Sequence, residues 1–178
     1  MESRKILTIK QYYIYIGMVL LAVIARLIPH PPNIAPITGL ALFSGARLNK
    51  KAGFIIPISA MVLSDIFLGF HQTIPFVYGS FILISFIGSF FLKKNGALQL
   101  LLVSLFSSVL FFVVTNFGVW ATSGMYIKDI NGLLTTYIMG LPFFKNTLFG
   151  DLFYSIFFFY GFELSLLSSE KLAQYFKK

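Results

Sequence analysis

Long apolar runs separated by short polar connections organise this chain. Five runs reach the roughly 20 residues that a helix needs to cross a bilayer, and they lie at residues 11–28, 53–70, 74–92, 97–121 and 142–166. A shorter run at 34–48 ends in a basic loop and predicts a sixth, shorter span. Residues 130–141 are too few to span and predict an interfacial helix in the external loop before the last span.

The composition places these helices in lipid. Hydrophobic residues make up 57% of the 178 residues and charged residues 11%, whereas soluble domains carry about 25% charged residues. A core of this size could not hide so much apolar surface from water, so the bilayer must solvate it. We therefore predict a single all-α integral membrane domain. The lack of cysteine excludes disulfides, thiolate metal sites and thiol nucleophiles.

The basic residues determine the predicted orientation. They cluster before the first span, after the second and fourth spans, and at the C-terminus, whereas the connections PHPPN and GFHQT carry no lysine or arginine. The positive-inside rule then gives six spans with both termini in the cytoplasm, in the inner (plasma) membrane. The net charge of +8 forms no basic face of the kind that binds nucleic acid, so no nucleic-acid partner is expected.

Polar side chains inside the spans concentrate in the predicted outer half of the bilayer. A charged side chain costs about 2.5–3.5 kcal/mol at mid-membrane, so each needs a reason to be there. Glu163 lies near the inner end and can snorkel to the interface. The others, with the external loops, predict a solute-binding pocket that opens outward; its candidates are Arg26, His30, Asn33, Asp65, His71, Asn116, Trp120, Lys145, Asn146 and Asp151.

The proline-rich stretch RLIPHPPNIAPITG forms the first external connection. Prolines restrict φ and remove N–H donors, so this loop is predicted to be stiff and to hold His30 and Asn33 over the pocket, with Arg26 at its rim. Taken singly, these residues are also compatible with structural roles. Arg26 and Asp65 could pair only to join two helices, and Trp120 could be an interfacial anchor. The amide and histidine side chains could serve packing or solvation alone.

No catalytic or nucleotide-binding motif accompanies these residues. The sequence has no HExxH, GxSxG or P-loop pattern, and no metal or cofactor is expected. We therefore predict solute capture for uptake, without catalysis and without a power source of its own. Two alternatives remain: a membrane enzyme that acts on a lipid or isoprenoid through Asp65 and Asp151, and a non-catalytic assembly subunit.

Four segments carry a resemblance to a known group of proteins. They are ARLIPHPPNIAPITGLALFSGA, PISAMVLSDIFLGFHQTIPFVYG, NFGVWATSGMY and GLPFFKNTLFGDLFY. Over about residues 11–165 the chain resembles a family of small bacterial membrane proteins related to the substrate-binding S components of energy-coupling-factor (ECF) vitamin transporters. The resemblance implies six helices and a vitamin pocket near the outer face. Its implied partners are a vitamin-like small molecule, membrane lipid, and an ECF coupling subunit with its ATPases, unless the protein acts alone.

Within that group the chain most resembles the solitary cobalamin-type proteins of Gram-negative bacteria. This likeness implies that His30, Asp65, Tyr78 and Lys145 approach the ligand, and it makes cobalamin a lead for the substrate. Two features depart from the pattern. The cobalt-binding cysteine of part of that group has no counterpart, and Lys145 is a point charge without the planar fork of an arginine.

Small residues bear on the predicted packing. S components often dock to their coupling subunit through an Ala-x-x-x-Ala surface on the first span, whereas here Ala22 is followed by Ala25 and then by Arg26. In the second span, Ala41 and Gly45 form a small-xxx-small pair. Such pairs let helix backbones approach closely, so a tight helix contact is expected there.

Overall fold

The chain folds into helices joined by short connections. The computed structural model describes the backbone of residues 2–92 and 96–175, and the side chains of residues 12–92 and 96–164. Six helices lie within these ranges, which confirms the all-α prediction: α1 Glu2–Leu27, α2 Ile37–Arg47, α3 Lys50–Leu68, α4 Ile74–Phe91, α5 Ala97–Thr122 and α6 Ile130–Tyr175.

Local sequence signals explain several helix ends. The Asn49 side chain accepts the backbone N–H of Ala52 at 2.9 Å, so α3 begins before the predicted residue 53. Gly69 ends α3 with φ +93°, a conformation that glycine adopts without strain. Pro75 lies in the first turn of α4, where its missing N–H leaves no helical hydrogen bond unmade.

Helices α3, α4 and α5 are long and apolar enough to cross a membrane, and α1 contains a shorter apolar stretch at Tyr12–Leu27. Large apolar side chains cover the outside of the bundle. Phe67, Phe90 and Phe149 are each more than 70% exposed, which is the arrangement expected of a surface that meets lipid. These features fit a membrane location, while the count of six spans stays a prediction.

The short helix α2 lies at the centre of the bundle. It contacts each of the other five helices, and every residue from Ile37 to Ser44 is buried. A Cβ on Gly45 would lie 2.0 Å from the Ser85 carbonyl oxygen of α4, so the two backbones touch. The close approach expected from the small residues of this helix is confirmed. With 11 residues, α2 is about 16 Å long, roughly half the hydrocarbon thickness.

Helix α6 differs from the prediction. The sequence suggested an interfacial helix at 130–141 and a separate span at 142–166, but the structure has one continuous helix, Ile130–Tyr175. Pro142 lies inside it. Gly140 and Pro142 do not interrupt the helix, because the missing N–H of a single proline is tolerated in a packed membrane helix. At about 70 Å the helix is more than twice as long as the hydrocarbon core is thick.

One end of the bundle is densely packed by aromatic rings. Phe43 of α2 contacts Phe158, Phe159 and Phe162 of α6, with ring centroids 6.1, 5.4 and 5.3 Å apart. Arg47 of α2 pairs there with Glu163 at 3.7 Å. The other end holds the connections at residues 28–36, 69–73 and 123–129, and there the helices enclose a cavity.

Candidate functional site

A cavity of about 600 Å³ opens at the loop end of the bundle, and we call it the central cavity. All six helices and the first two loops of this end contribute to its wall. Sites for small organic molecules measure about 300–1,000 Å³ and combine an apolar lining with a few polar groups. The central cavity has both properties, since Phe81, Phe111, Phe112 and Phe143 line it beside charged and hydroxyl side chains.

The first polar cluster of the site joins α1, α3 and α4. Arg26 lines the cavity, and its Nη2 lies 2.9 Å from Oδ1 of Asp65, which is 1% exposed. Its Nη1 donates to Ser64 Oγ at 2.5 Å. The Tyr78 hydroxyl donates to Oδ2 of Asp65 at 2.7 Å. Asp65 therefore has a cation on one oxygen and a hydroxyl on the other, and Arg26 and Asp65 share an interior position as expected.

The second polar cluster joins α2, α5 and α6. Asp151 lines the cavity and is 2% exposed. The Ser108 hydroxyl donates to its Oδ2 at 2.7 Å, and the Thr38 side chain also hydrogen-bonds this carboxylate. Neither ion pair found among the described side chains includes Asp151. Among the described residues, this carboxylate thus has hydroxyl partners and no cation.

The proline-rich loop lies at the mouth of the cavity. His30, Pro32 and Asn33 line it, and Asn33 adopts a left-handed conformation with φ +65°. The Asn146 side chain of α6 donates to the Pro32 carbonyl at 3.0 Å and ties the loop to the bundle. His71, from the second loop, lines the same opening, and its Nδ1 lies 2.7 Å from the Thr73 hydroxyl.

The structure brings six of the sequence-predicted site residues to the cavity wall: Arg26, His30, Asn33, His71, Asn116 and Asp151. Asp65 lies one contact away from it through Arg26, Tyr78 bonds Asp65 in turn, and Asn146 holds the loop. Each of these three therefore supports the site without lining it.

Trp120 and Lys145 do not line the central cavity, and their part in binding stays a prediction. The Trp120 indole donates to the Ile127 carbonyl at 3.0 Å and holds the α5–α6 connection. Lys145 is exposed because of helical periodicity. Side chains three and four residues apart share a helix face, and the cavity face of α6 consists of Gly140, Phe143, Thr147 and Asp151.

Threonines are the polar wall residues that sequence reasoning missed. Thr38, Thr115 and Thr147 all line the cavity. In a membrane helix a threonine hydroxyl bonds the carbonyl four residues earlier, as Thr115 does to Phe111 at 2.7 Å. Because threonines can be placed in a membrane helix at little energetic cost, a threonine in an apolar run does not by itself indicate a binding site. Only Thr147 has a same-face spacing to a predicted site residue, since it lies four residues before Asp151 on α6.

The chain belongs to a family described as a family of unknown function (DUF6580), whose model matches residues 7–174. No curated protein and no solved structure matches the chain. Within the part of the chain that the structure describes, no three His, Cys, Asp or Glu side chains converge as a metal site.

Proposed function

We propose that this protein is a membrane-embedded binding protein for a small vitamin-like solute and that it serves uptake from the outer side of the inner membrane. The observation that carries the proposal is the central cavity itself. It is large enough for a small organic molecule, and it opens at one end of the bundle. Its lining includes the charged side chains of Arg26 and of the buried Asp151, which a bound solute would contact. Charged groups inside a membrane domain commonly mark a path or site for a solute.

The distribution of basic residues supports an outward opening. Arg47, Lys50 and Lys51 lie at the end of the bundle away from the cavity, where α2 connects to α3. Positive residues are retained on the cytoplasmic side of membrane proteins. The cavity would then face the exterior, with six spans and both termini in the cytoplasm.

In the proposed mechanism, a solute binds in a cavity whose entrance is formed by a rigid, proline-rich loop. The solute would enter past His30 and His71 and lie between the phenylalanine rings and the polar clusters. This mode of binding is the one that the likeness to ECF S components implies, with transport driven by a coupling subunit and its ATPases or by the protein alone. The volume of about 600 Å³ lies within the range of sites for small organic molecules, so a small vitamin or precursor fits the proposal.

The enzymatic alternative finds less support in the geometry. A pair of acid and base carboxylates must face the same substrate. Asp65, however, is held by Arg26 and Tyr78 outside the cavity wall, whereas Asp151 lines it. The two aspartates therefore do not converge on one reacting group.

A binding screen tests the proposal. We would measure thermal unfolding of the detergent-purified protein with a panel of water-soluble vitamins and their precursors. We expect at least one compound to raise the melting temperature of the wild type. Thr115→Trp fills the cavity from α5 and should abolish that rise, whereas Leu102→Trp, on the lipid-facing side of the same helix, should keep it. No stabilisation by any compound, or equal stabilisation of both variants, would contradict the proposal.

A further inference from the structure

The charges of the cavity wall are unequally compensated. Arg26 carries a positive charge, but Asp65 neutralises it at 2.9 Å. Asp151 carries a carboxylate whose described partners are the Ser108 and Thr38 hydroxyls. A buried carboxylate without a countercharge is unfavourable by several kcal/mol, even when hydrogen bonds remain, so the group takes up either a proton or a cation. A positive group that entered the cavity beside Asp151 would remove this penalty, whereas a negative group would increase it.

The neutral polar groups of the wall also favour a donor-rich ligand. Thr115 and Thr147 donate their hydroxyl protons to the carbonyls of Phe111 and Phe143, at 2.7 and 3.2 Å. Each hydroxyl has a single proton, so a ligand finds only oxygen lone pairs at these two side chains. Ser108 likewise directs its proton to Asp151. The hydroxyl groups of Thr115 and Thr147 therefore present acceptors to the cavity.

Aromatic rings form much of the remaining lining that a ligand in the cavity would contact. Phe81 and Phe111 lie stacked with centroids 5.1 Å apart, and both line the cavity together with Phe112 and Phe143. The face of an aromatic ring attracts a nearby cation, by about 0.5–2 kcal/mol depending on desolvation. An apolar or aromatic ligand body can also pack against these rings. A carboxylate, acceptor oxygens and aromatic faces together match an organic cation with a ring or chain.

We propose that the solute of the central cavity is an organic cation, with a protonated nitrogen that binds the Asp151 carboxylate and an apolar body that lies among the phenylalanine rings. This inference rests on the proposed solute-binding function and names the chemical class of the solute. Arg26 contributes no net preference for an anion because Asp65 already balances its charge.

A set of probes matched in size and different in charge tests the inference. Benzylamine is a cation at neutral pH, benzyl alcohol is neutral and benzoate is an anion. We expect calorimetric titration of the purified protein to show benzylamine binding at least tenfold tighter than benzyl alcohol, and no benzoate binding. Asp151→Asn should remove the preference for benzylamine. Glu163→Gln makes the same chemical change at the packed end, where Glu163 pairs with Arg47, and should preserve it.

A second variant covers the case in which Asp151→Asn does not fold. Phe143 lines the cavity and is 48% exposed, so Phe143→Leu should fold, lose the aromatic face and bind benzylamine severalfold more weakly. Equal affinity for the three probes, tighter binding of benzoate, or unchanged benzylamine binding in both variants would overturn the inference. Stabilisation by sodium or potassium chloride with no benzylamine binding would assign Asp151 to an inorganic cation and would also overturn it.

The vitamin screen distinguishes failure of the organic-cation inference from failure of the proposed solute-binding function. If a neutral or anionic vitamin binds and Thr115→Trp blocks it, the solute-binding function stands and the cation inference is wrong. If neither the vitamins nor the probes bind, the proposed function itself fails and the inference fails with it.

Discussion

Each of the two polar clusters at the central cavity contains a buried aspartate, and the two aspartates have different surroundings. Asp65, behind the wall built by α1, α3 and α4, has Arg26 on one oxygen and Tyr78 on the other. Asp151, on the wall built by α2, α5 and α6, has hydroxyl partners from Ser108 and Thr38. Both are almost fully buried, at 1% and 2% exposure. Burial alone therefore does not distinguish a structural carboxylate from one that is available to a ligand.

What distinguishes them is the source of the countercharge. The chain itself supplies the cation for Asp65, so this pair joins α1 and α3 whether or not a solute is present. For Asp151 the described residues supply hydrogen bonds without a cation. If a bound ligand supplies the positive charge that pairs with such a carboxylate, this one residue contributes both affinity and selectivity against anions.

Substitution of the two aspartates should give the largest difference. Asp65→Asn leaves Arg26 without its countercharge, and we expect the free energy of unfolding to fall by about 3 kcal/mol, the lower end for a broken buried pair because Arg26 keeps some solvent access. Asp151→Asn breaks no ion pair and removes a buried group that has no countercharge among the described residues, so stability should not fall. Denaturant unfolding in detergent measures both. If the free energy of unfolding fell equally in the two variants, the claim that only Asp65 depends on a cation from the chain would be contradicted.

Loss of the tyrosine hydroxyl should give a smaller effect on the first wall. Tyr78→Phe removes the hydrogen bond to Oδ2 of Asp65 and keeps the ring. We expect a loss of about 1.5 kcal/mol, as for hydrogen bonds to charged groups, with solute binding unchanged. Tyr160→Phe is the matched control, since Tyr160 lies on the exposed side of α6. A loss of solute affinity in Tyr78→Phe without a loss of stability would place Tyr78 in the binding site.

The corresponding change on the second wall should affect binding more than folding. Ser108→Ala removes the donor to Asp151, and interhelical hydrogen bonds in membrane proteins contribute about 0.6 kcal/mol on average. Stability should therefore fall by about that amount, while the affinity for a bound solute changes because the carboxylate loses a partner. Ser89→Ala, whose hydroxyl bonds the Phe86 carbonyl away from the cavity, is the control for both readouts.

The smallest effect should come from the loop at the mouth. Asn146→Ala breaks the hydrogen bond to the Pro32 carbonyl and should lower global stability by less than about 0.5 kcal/mol, since the loop prolines remain. Hydrogen exchange of the backbone amides of His30 and Asn33 should nevertheless become faster. Unchanged exchange at these two residues would show that the prolines alone keep the loop in place.

The all-α fold and the interior pairing of Arg26 with Asp65 could be predicted from the sequence because apolar runs and isolated charges are strong signals in lipid. The continuity of α6 through Pro142 could not, since a proline breaks some helices and is tolerated in others according to the packing around it. For a related reason, the sequence did not predict that Lys145 lies off the cavity face of α6. Its depth along the helix was inferred from the sequence, but the face it occupies depends on how α6 is rotated in the bundle.

The most direct test of the account is native mass spectrometry of the protein extracted from its own membranes. We predict one small molecule bound to each chain in the wild type and in Leu102→Trp, and its loss in Thr115→Trp, which fills the cavity. A protein that carries no adduct in its own membranes, or one whose adduct survives Thr115→Trp, would contradict the claim that the central cavity is a solute-binding site.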